Sequence, residues 1–316
     1  MNKITKRKWI SILELAAAQN KRPHAIILTE HHLDIAEGAT PSYMKKCKVN
    51  GKWEKWELHL VRGPFKKNKN GDPIDETRGG VAIAIRKDSF KVKTKVLSSD
   101  TLHQSATFTL YDGDFIPHIH ISACYLSPNP EVTVQTAHNF YNLLASNLHP
   151  PTPPTRNYPY SQHYHIITGD FNAYTGSATE THAQLDENIP TRAGDREIRH
   201  QPTQSTPPQP HTKVNGKSGG RLLLDFLDQH SLLIANDRFQ PSNTDVPYTT
   251  KYKSVIDYFL IPATLFPDIV NCTAHERSWE SIPKSDPVLD AKKKAATTDH
   301  NLLSMHLLLP AHPPQL

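Results

Sequence analysis

HIITGDFNAYTG, residues 165–176, decides how this chain is to be read. An apolar run meets Gly169, and an aspartate and an asparagine, Asp170 and Asn172, then stand two apart at its end. A branched run bounded by glycine reads as a buried strand, YHIITGDFN, that stops where polar chain begins. Upstream, HPPTPPTRNYPYSQ (149–162) is a Pro-rich connector and TVQTAHNFYNLLASNL (133–148) has helical spacing of its apolar residues. HIHISACYLSP (118–128) alternates and ends at Pro128, as a strand does.

The pattern continues in both directions. RGGVAIAIRK (78–87) is a Gly-led strand, HAIILTE is a short buried strand ending at Glu30, and KWISILELAAAQNK (8–21) places Ile12, Leu15, Ala16 and Gln19 on one helical face. Downstream, 175–219 is polar, rich in Thr, Pro, Gln and His and without a period, which predicts an insertion or mobile loop. GGRLLLDFLDQHSLLIAND (219–237) reads as a helix running into a strand, with Leu223, Phe226 and Leu227 on one side. SVIDYFLIP (254–262) and TTDHNLLSMHLLLP (297–310) supply the last strands. Strands with interspersed helices, no repeat and no linker predict one mixed α/β domain over 1–316.

With 316 residues and 37% hydrophobic content, the chain can fill a sizeable core. Lys plus Arg 36 against Asp plus Glu 31 gives 36 − 31 = +5, a mild excess that suits a polyanionic partner without requiring one. The runs KKNKN (66–70) and KKK (292–294) read first as solvated loops, with nuclear address or nucleic-acid contact as the alternative. Cys47, Cys124 and Cys272 are odd in number and far apart, which argues against a disulfide framework or a zinc ribbon and for a reducing interior. No apolar run approaches the roughly 18 residues of a membrane span, and MNKITKRKW has no signal-peptide core. An intracellular location, cytosolic or nuclear, and no membrane contact are expected.

Acids recur where apolar runs meet loops. Glu30 ends AIILTE, Asp170 ends IITG, Asp257 interrupts SVIDYFLI, and Asp299 with His300 precedes NLLSMHLLL. Each alone has an ordinary explanation as a turn or surface residue. Together they have a shared problem, because an ionised carboxylate beside a core is costly unless a cation, a metal or hydrogen bonds compensate it. A shared divalent cation is the economical answer. Asp257, flanked by Val, Ile, Tyr and Phe, must sit at a sheet edge or have a partner, for which a histidine is a candidate.

In order along the chain, LTE (28–30), RGGVAIAIRK (78–87), CYLSP (124–128), GDFNA (169–173), SVIDYFLI (254–261) and TTDHNLL (297–303) resemble the successive motifs of the endonuclease/exonuclease/phosphatase superfamily, exonuclease III-like and DNase I-like in fold. The GGVAIAIRK strand and the TEHHL form of the first acidic motif look most like the endonuclease domains of LINE-type retrotransposons. The resemblance implies a four-layer α/β/β/α sandwich, two mixed β-sheets flanked by helices, with the site at one rim. It implies hydrolysis of a phosphodiester with Mg²⁺ or Mn²⁺ as cofactor and DNA, expected as duplex, as partner.

Carried over residue by residue, Glu30 matches the metal-binding glutamate, and Asp299 would help hold or orient the metal. His300 matches the terminal histidine, a general base or phosphate contact, with Asp257 accepting its other ring N–H. Asp170 would activate water or pass a proton to the leaving oxygen, and Asn172 would donate its amide to phosphate. Tyr125 matches a tyrosine that reaches the scissile phosphate. Acid and amide would lie two apart because successive same-side positions of an extended chain can face one phosphate.

The chain departs from the family at its start. The usual first strand with its N-x-N-G motif has no counterpart before the helix at about Lys8, and Asn2 stands as its remnant and as the corresponding metal ligand. With the last strand near the end of the chain, no reverse transcriptase is expected to follow. The resulting expectation is a monomeric, metal-dependent DNA-nicking endonuclease. The alternatives are a phosphatase of small phosphorylated molecules or inositol lipids, and a degenerate copy that binds nucleic acid without cutting it.

Overall fold

Branched and small residues alternate in VAIAIR, so the strand can bury both of its faces, and all six residues are buried. This strand is central to one of two packed sheets in the computed structural model, which describes residues 23–29, 42–49, 52–63, 65–67, 70–77, 79–87, 89–112, 116–127, 133–148, 164–173, 175, 219–236, 238–239, 256–275 and 302–307. The elements are β1 (Ala25–Thr29), β2 (Ser42–Val49), β3 (Lys52–Val61), β4 (Phe65–Lys67), β5 (Pro73–Thr77), β6 (Val81–Arg86), β7 (Lys91–Ser99), β8 (His103–Asp112) and β9 (Ile116–Leu126). They continue as helix α1 (Val134–Ala145), β10 (Tyr164–Asp170), helix α2 (Gly219–His230), β11 (Leu232–Ile234), β12 (Asp257–Pro262), a 3₁₀ turn (Ala263–Asp268), β13 (Ile269–His275) and β14 (Leu302–Leu307).

One sheet has the order β1-β6-β3-β2 and the other β11-β12-β10-β9-β8-β7, with β13-β14 and β4-β5 as separate ladders. Most neighbours are antiparallel, but β10 runs parallel to β9. That pairing needs a crossover, which α1 supplies. Thr133 caps α1 by accepting the Thr136 N–H at 3.1 Å.

Two apolar layers follow from period-two alternation. Val61, Val81, Ile83 and Ile85 of the smaller sheet meet Phe108, Ile119, Ile121, Ile166 and Ile261 of the larger one, forming the inter-sheet core. On the other face of the larger sheet, Ile167, Tyr258 and Leu260 pack against Phe140, Tyr141 and Leu144 of α1 and Leu223, Phe226 and Leu227 of α2. The far face of the smaller sheet, with Trp56, Leu58, Leu60, Ala82 and Ala84, is also buried. The expected mixed α/β fold with two packed sheets is therefore present, while the helix expected over 8–21, the missing first strand and nearly all of the 175–219 insertion fall outside the described residues. Among the described residues no helix is long and apolar enough to cross a membrane, and Cys124 and Cys272 are buried thiols that form no disulfide.

One expectation is corrected, and strands are added that the sequence reading did not name. SVIDYFLIP is not a strand interrupted by an acid, because β12 starts at Asp257 and Ile256 lies outside it. The polar alternation of β3, β7 and β8 forms strands that apolar runs alone do not announce, since Lys91, Lys93 and Lys95 face solvent along an edge.

Gly169 sits where the larger sheet has no room for a side chain. Its φ is +145°, and a Cβ there would fall on the carbonyl of Cys124, 2.8 Å from the carbonyl carbon and 3.0 Å from the amide nitrogen. Neither strand can give way without losing its ladder, so Gly169→Ala is expected to cost on the order of 3 kcal/mol or more, read from urea unfolding.

His59 joins the sheets from the other side. Its Nδ1 lies 3.3 Å from Thr94 Oγ1 of β7, and its Nε2 is 3.3 Å from Glu57 Oε1 at an angle that makes no hydrogen bond. Burial lowers its pKa from the ordinary 6.5, with the Glu57 charge acting in the opposite direction. The unfolded chain therefore binds this proton more readily than the folded one, so His59 removes stability as pH falls below about 6.5. The difference between urea midpoints at pH 7.5 and 5.5 should shrink in His59→Gln.

Candidate active site

The ends of four neighbouring strands line up. Asp170, the last residue of β10, is opposite Tyr125 of β9 and Asp257 of β12, and Tyr125 is opposite Gln104 of β8. Side chains in one row of a sheet share a face, and here it is the inter-sheet face, to which Ala106, Phe108 and Tyr125 belong. Gln104, Tyr125 and Asp170 are 1%, 7% and 2% exposed. The structure thus sets side by side three residues that are 45 or more positions apart in the chain, Tyr125, Asp170 and Asp257.

After Asp170 the chain is not extended. Asn172 has φ +45°, in the left-handed region that asparagine tolerates better than most residues. Its backbone N–H donates to Asp170 Oδ1 at 2.9 Å, an Asx turn. Its Nδ2 donates to Asp170 Oδ2 at 3.1 Å and to the Leu126 carbonyl at 2.7 Å. The spacing of acid and amide is therefore set by a turn that folds the amide back onto the carboxylate, not by strand pleat. Both amide protons are used inside the chain, which makes Asn172 the clamp of Asp170 and ties it to the end of β9.

Two further residues build the rim without having drawn notice in the sequence. Asn236, just after β11, donates from Nδ2 to the Asp257 carbonyl at 2.9 Å and accepts the Phe259 N–H at 2.9 Å, fixing the start of β12. Gln104 accepts the Gly80 N–H at 2.7 Å and donates to the Asp100 carbonyl at 2.9 Å. Gln104 does not stand at the end of an apolar run, and Asn236, which follows the run Leu232–Ala235, carries no charge for that position to make costly. Tyr258 Oη donates to the Ala173 carbonyl at 2.9 Å and so tacks down the chain beyond Asn172.

The electrostatics converge on the same point. The Cys124 thiol is pushed well above its ordinary value by burial and then by the negative charges of Asp170 and Asp257. Two carboxylates one strand apart are hard oxygen donors beside a core, the donor type that Mg²⁺ and Mn²⁺ take. Among the described residues no three His, Cys, Asp or Glu side chains form a cage. Glu30, Asn2, Asp299 and His300 lie outside the described residues. Their described neighbours are Thr29, which ends β1 opposite Val81, and Leu302, which begins β14.

No protein-family profile matches this chain, and no curated protein matches it. Solved structures do. An AP endonuclease, LMAP, from Leishmania major superposes with a TM-score of 0.55 at 11% identity, over 96% of this chain and 84% of that one. An AP endonuclease from Archaeoglobus fulgidus gives 0.51 at 12% identity, over 98% and 96%. The 3′ phosphatase NExo from Neisseria, bound to a product DNA hairpin, gives 0.50 at 14% identity, over 93% and 92%. The chain has the endonuclease/exonuclease/phosphatase fold that its motifs led one to expect.

The Asn172 clamp separates backbone cost from side-chain role. Asn172→Gly keeps the left-handed turn and loses the amide, whereas Asn172→Ala loses both. Asn172→Ala should therefore melt with about 1 kcal/mol less stability than Asn172→Gly, measured by urea unfolding.

Proposed function

We propose that this chain is a phosphodiester hydrolase that uses Mg²⁺ or Mn²⁺ to nick duplex DNA. The observation that carries the reading is the row Tyr125–Asp170–Asp257 at the strand ends, with both oxygens of Asp170 held by Asn172. Such a row presents one phenol and two acids to a single phosphate, and fixed orientation of these groups before the substrate arrives is what lowers a barrier of this kind.

Glu30, Asp299 and Asn2 are the residues proposed to hold the cation. When bound, the cation neutralises charge that develops on the phosphate oxygens during in-line attack. Asp170, held by Asn172, accepts a proton from the attacking water or passes one to the leaving oxygen. His300 serves as the base or contacts the phosphate, and Asp257 accepts its other ring N–H and so selects the tautomer. Tyr125 donates its phenol proton to a non-bridging oxygen.

The excess of basic residues, +5 overall, supports a polyanionic substrate, with Lys and Arg on the DNA backbone making affinity salt-sensitive. The resemblance of GGVAIAIRK and TEHHL to LINE-type endonuclease domains favours a retrotransposon-type enzyme acting in the nucleus or cytoplasm. One domain, working as a monomer, completes the proposal.

Conversion of supercoiled plasmid to nicked circle tests it. Nicking should need Mg²⁺, stop in chelator, and fall more than about 100-fold in Asp170→Ala and His300→Ala. A cooperatively melting wild type that never nicks, or variants that nick as fast as it does, would sink the proposal. Phosphate release from a 3′-phosphorylated oligonucleotide without nicking would move the reading to a phosphatase.

A further inference from the structure

We infer that Gln104 is a positioning residue of the catalytic rim, setting how the ends of the two sheets stand relative to one another. The inference rests on the metal-dependent reading above.

Gln104 occupies the fourth place of the row that contains Tyr125, Asp170 and Asp257, yet it is 1% exposed and both ends of its amide are committed. Oε1 can only accept, and it takes the Gly80 N–H at 2.7 Å. Nε2 can only donate, and it goes to the Asp100 carbonyl at 2.9 Å. Opposite partner polarity fixes which way the amide points. The first bond crosses from the larger sheet to the Gly79–Gly80 turn, which leads directly into β6 of the smaller one.

That turn is built for the contact. Gly79 and Gly80 have φ of +67° and +93°, and a Cβ on Gly79 would fall on Gln104 Oε1 and within 2.9 Å of its Cδ. Val81, the next residue, pairs with Thr29 at the end of β1 and with Val61 at the end of β3. Gln104 therefore connects the Tyr125–Asp170–Asp257 row to the strand end that Glu30 immediately follows in sequence. If the cation is shared between the two sides, its affinity depends on this one bridge more than DNA affinity does, because phosphate contacts are spread over many residues.

The test is Mn²⁺ binding followed by electron paramagnetic resonance on the full chain, for wild type, Gln104→Leu and Gly79→Ala. Gln104→Leu removes both hydrogen bonds at similar volume, and Gly79→Ala keeps the glutamine but displaces its amide. In both, the Kd for Mn²⁺ should rise at least 10-fold and the Mg²⁺ needed for half-maximal nicking should rise in parallel. The Kd for plasmid DNA in chelator should stay within twofold, and the variants should melt cooperatively. Gln104→Glu, which keeps the acceptor for Gly80, should recover metal affinity toward wild type.

A Kd for Mn²⁺ within twofold of wild type in Gln104→Leu overturns the inference, as does equal loss of metal and DNA binding, which would mark a general structural role. Should Gln104→Leu fail to melt cooperatively, Gly79→Ala decides on the same readings. A wild type that binds no Mn²⁺ removes the metal-dependent reading, and this inference with it. Metal binding that is normal in wild type and unchanged in the variants removes only the latter.

Discussion

The close approach of Gly169 to the carbonyl of Cys124 is the contact on which the site depends. Parallel strands β9 and β10 pair with Gly169 opposite Cys124 and Asp170 opposite Tyr125. A slip of one residue would exchange the faces of β10 and turn Asp170 toward the helices, away from Tyr125. Only a residue without Cβ fits where the backbones are closest, so the glycine helps to hold the register as well as permit it. β12 then pairs on the other side of β10, and Asn236 anchors its first residue. Three strand ends reach the same line as a result of backbone geometry, before any side chain of the site is considered.

What that geometry creates is electrostatically uncomfortable. Asp170 is buried beside Tyr125, with the acid of Asp257 one strand away and the Cys124 sulfur beneath both. The clamp by Asn172 satisfies both oxygens of Asp170 with neutral donors and so orients the charge without cancelling it. A carboxylate held still by neutral donors is oriented for an incoming cation or a proton in transit.

Much of this was legible in the sequence, and the reasons for the rest are physical. Runs that are buried on both faces, such as VAIAIR and YHIITGD, declare themselves by composition, and both are strands. Amphipathic spacing likewise marked α1 and α2. Strands with one polar face, β3 and β7 above all, hide in lysine and glutamate that an edge or a rim requires. Asp170 and Asp257 stood out because acids at the ends of apolar runs are expensive. Gln104 and Asn236 did not, because an uncharged amide carries no such penalty in a sequence and acquires meaning only from the carbonyls and N–H groups that the fold brings to it. The turn at Asn172 was misread for a related reason. A period of two looks the same whether the chain continues extended or folds back at the second residue, and the left-handed φ is not written in the spacing.

The two sheets are pressed together by apolar burial, which supplies most of the favourable energy but little direction. Leucine, isoleucine and phenylalanine can tolerate a sheet that slides by a fraction of an ångström over its neighbour; a reacting phosphate cannot. Directional contacts between the sheets are therefore where alignment must come from. The bond from Gly80 to Gln104 at the rim and the contact between His59 and Thr94 toward the β7 edge are two such contacts among the described residues. They lie at separate points of the interface, between the start of β6 and β8 in one case and between β3 and β7 in the other. Two fixed points define a line about which a sheet can still rock, whereas one leaves it free to pivot. The rim bond is the one nearest the Tyr125–Asp170–Asp257 row, and that proximity gives a buried, uncharged glutamine more influence on the alignment of the row than its neutral amide suggests.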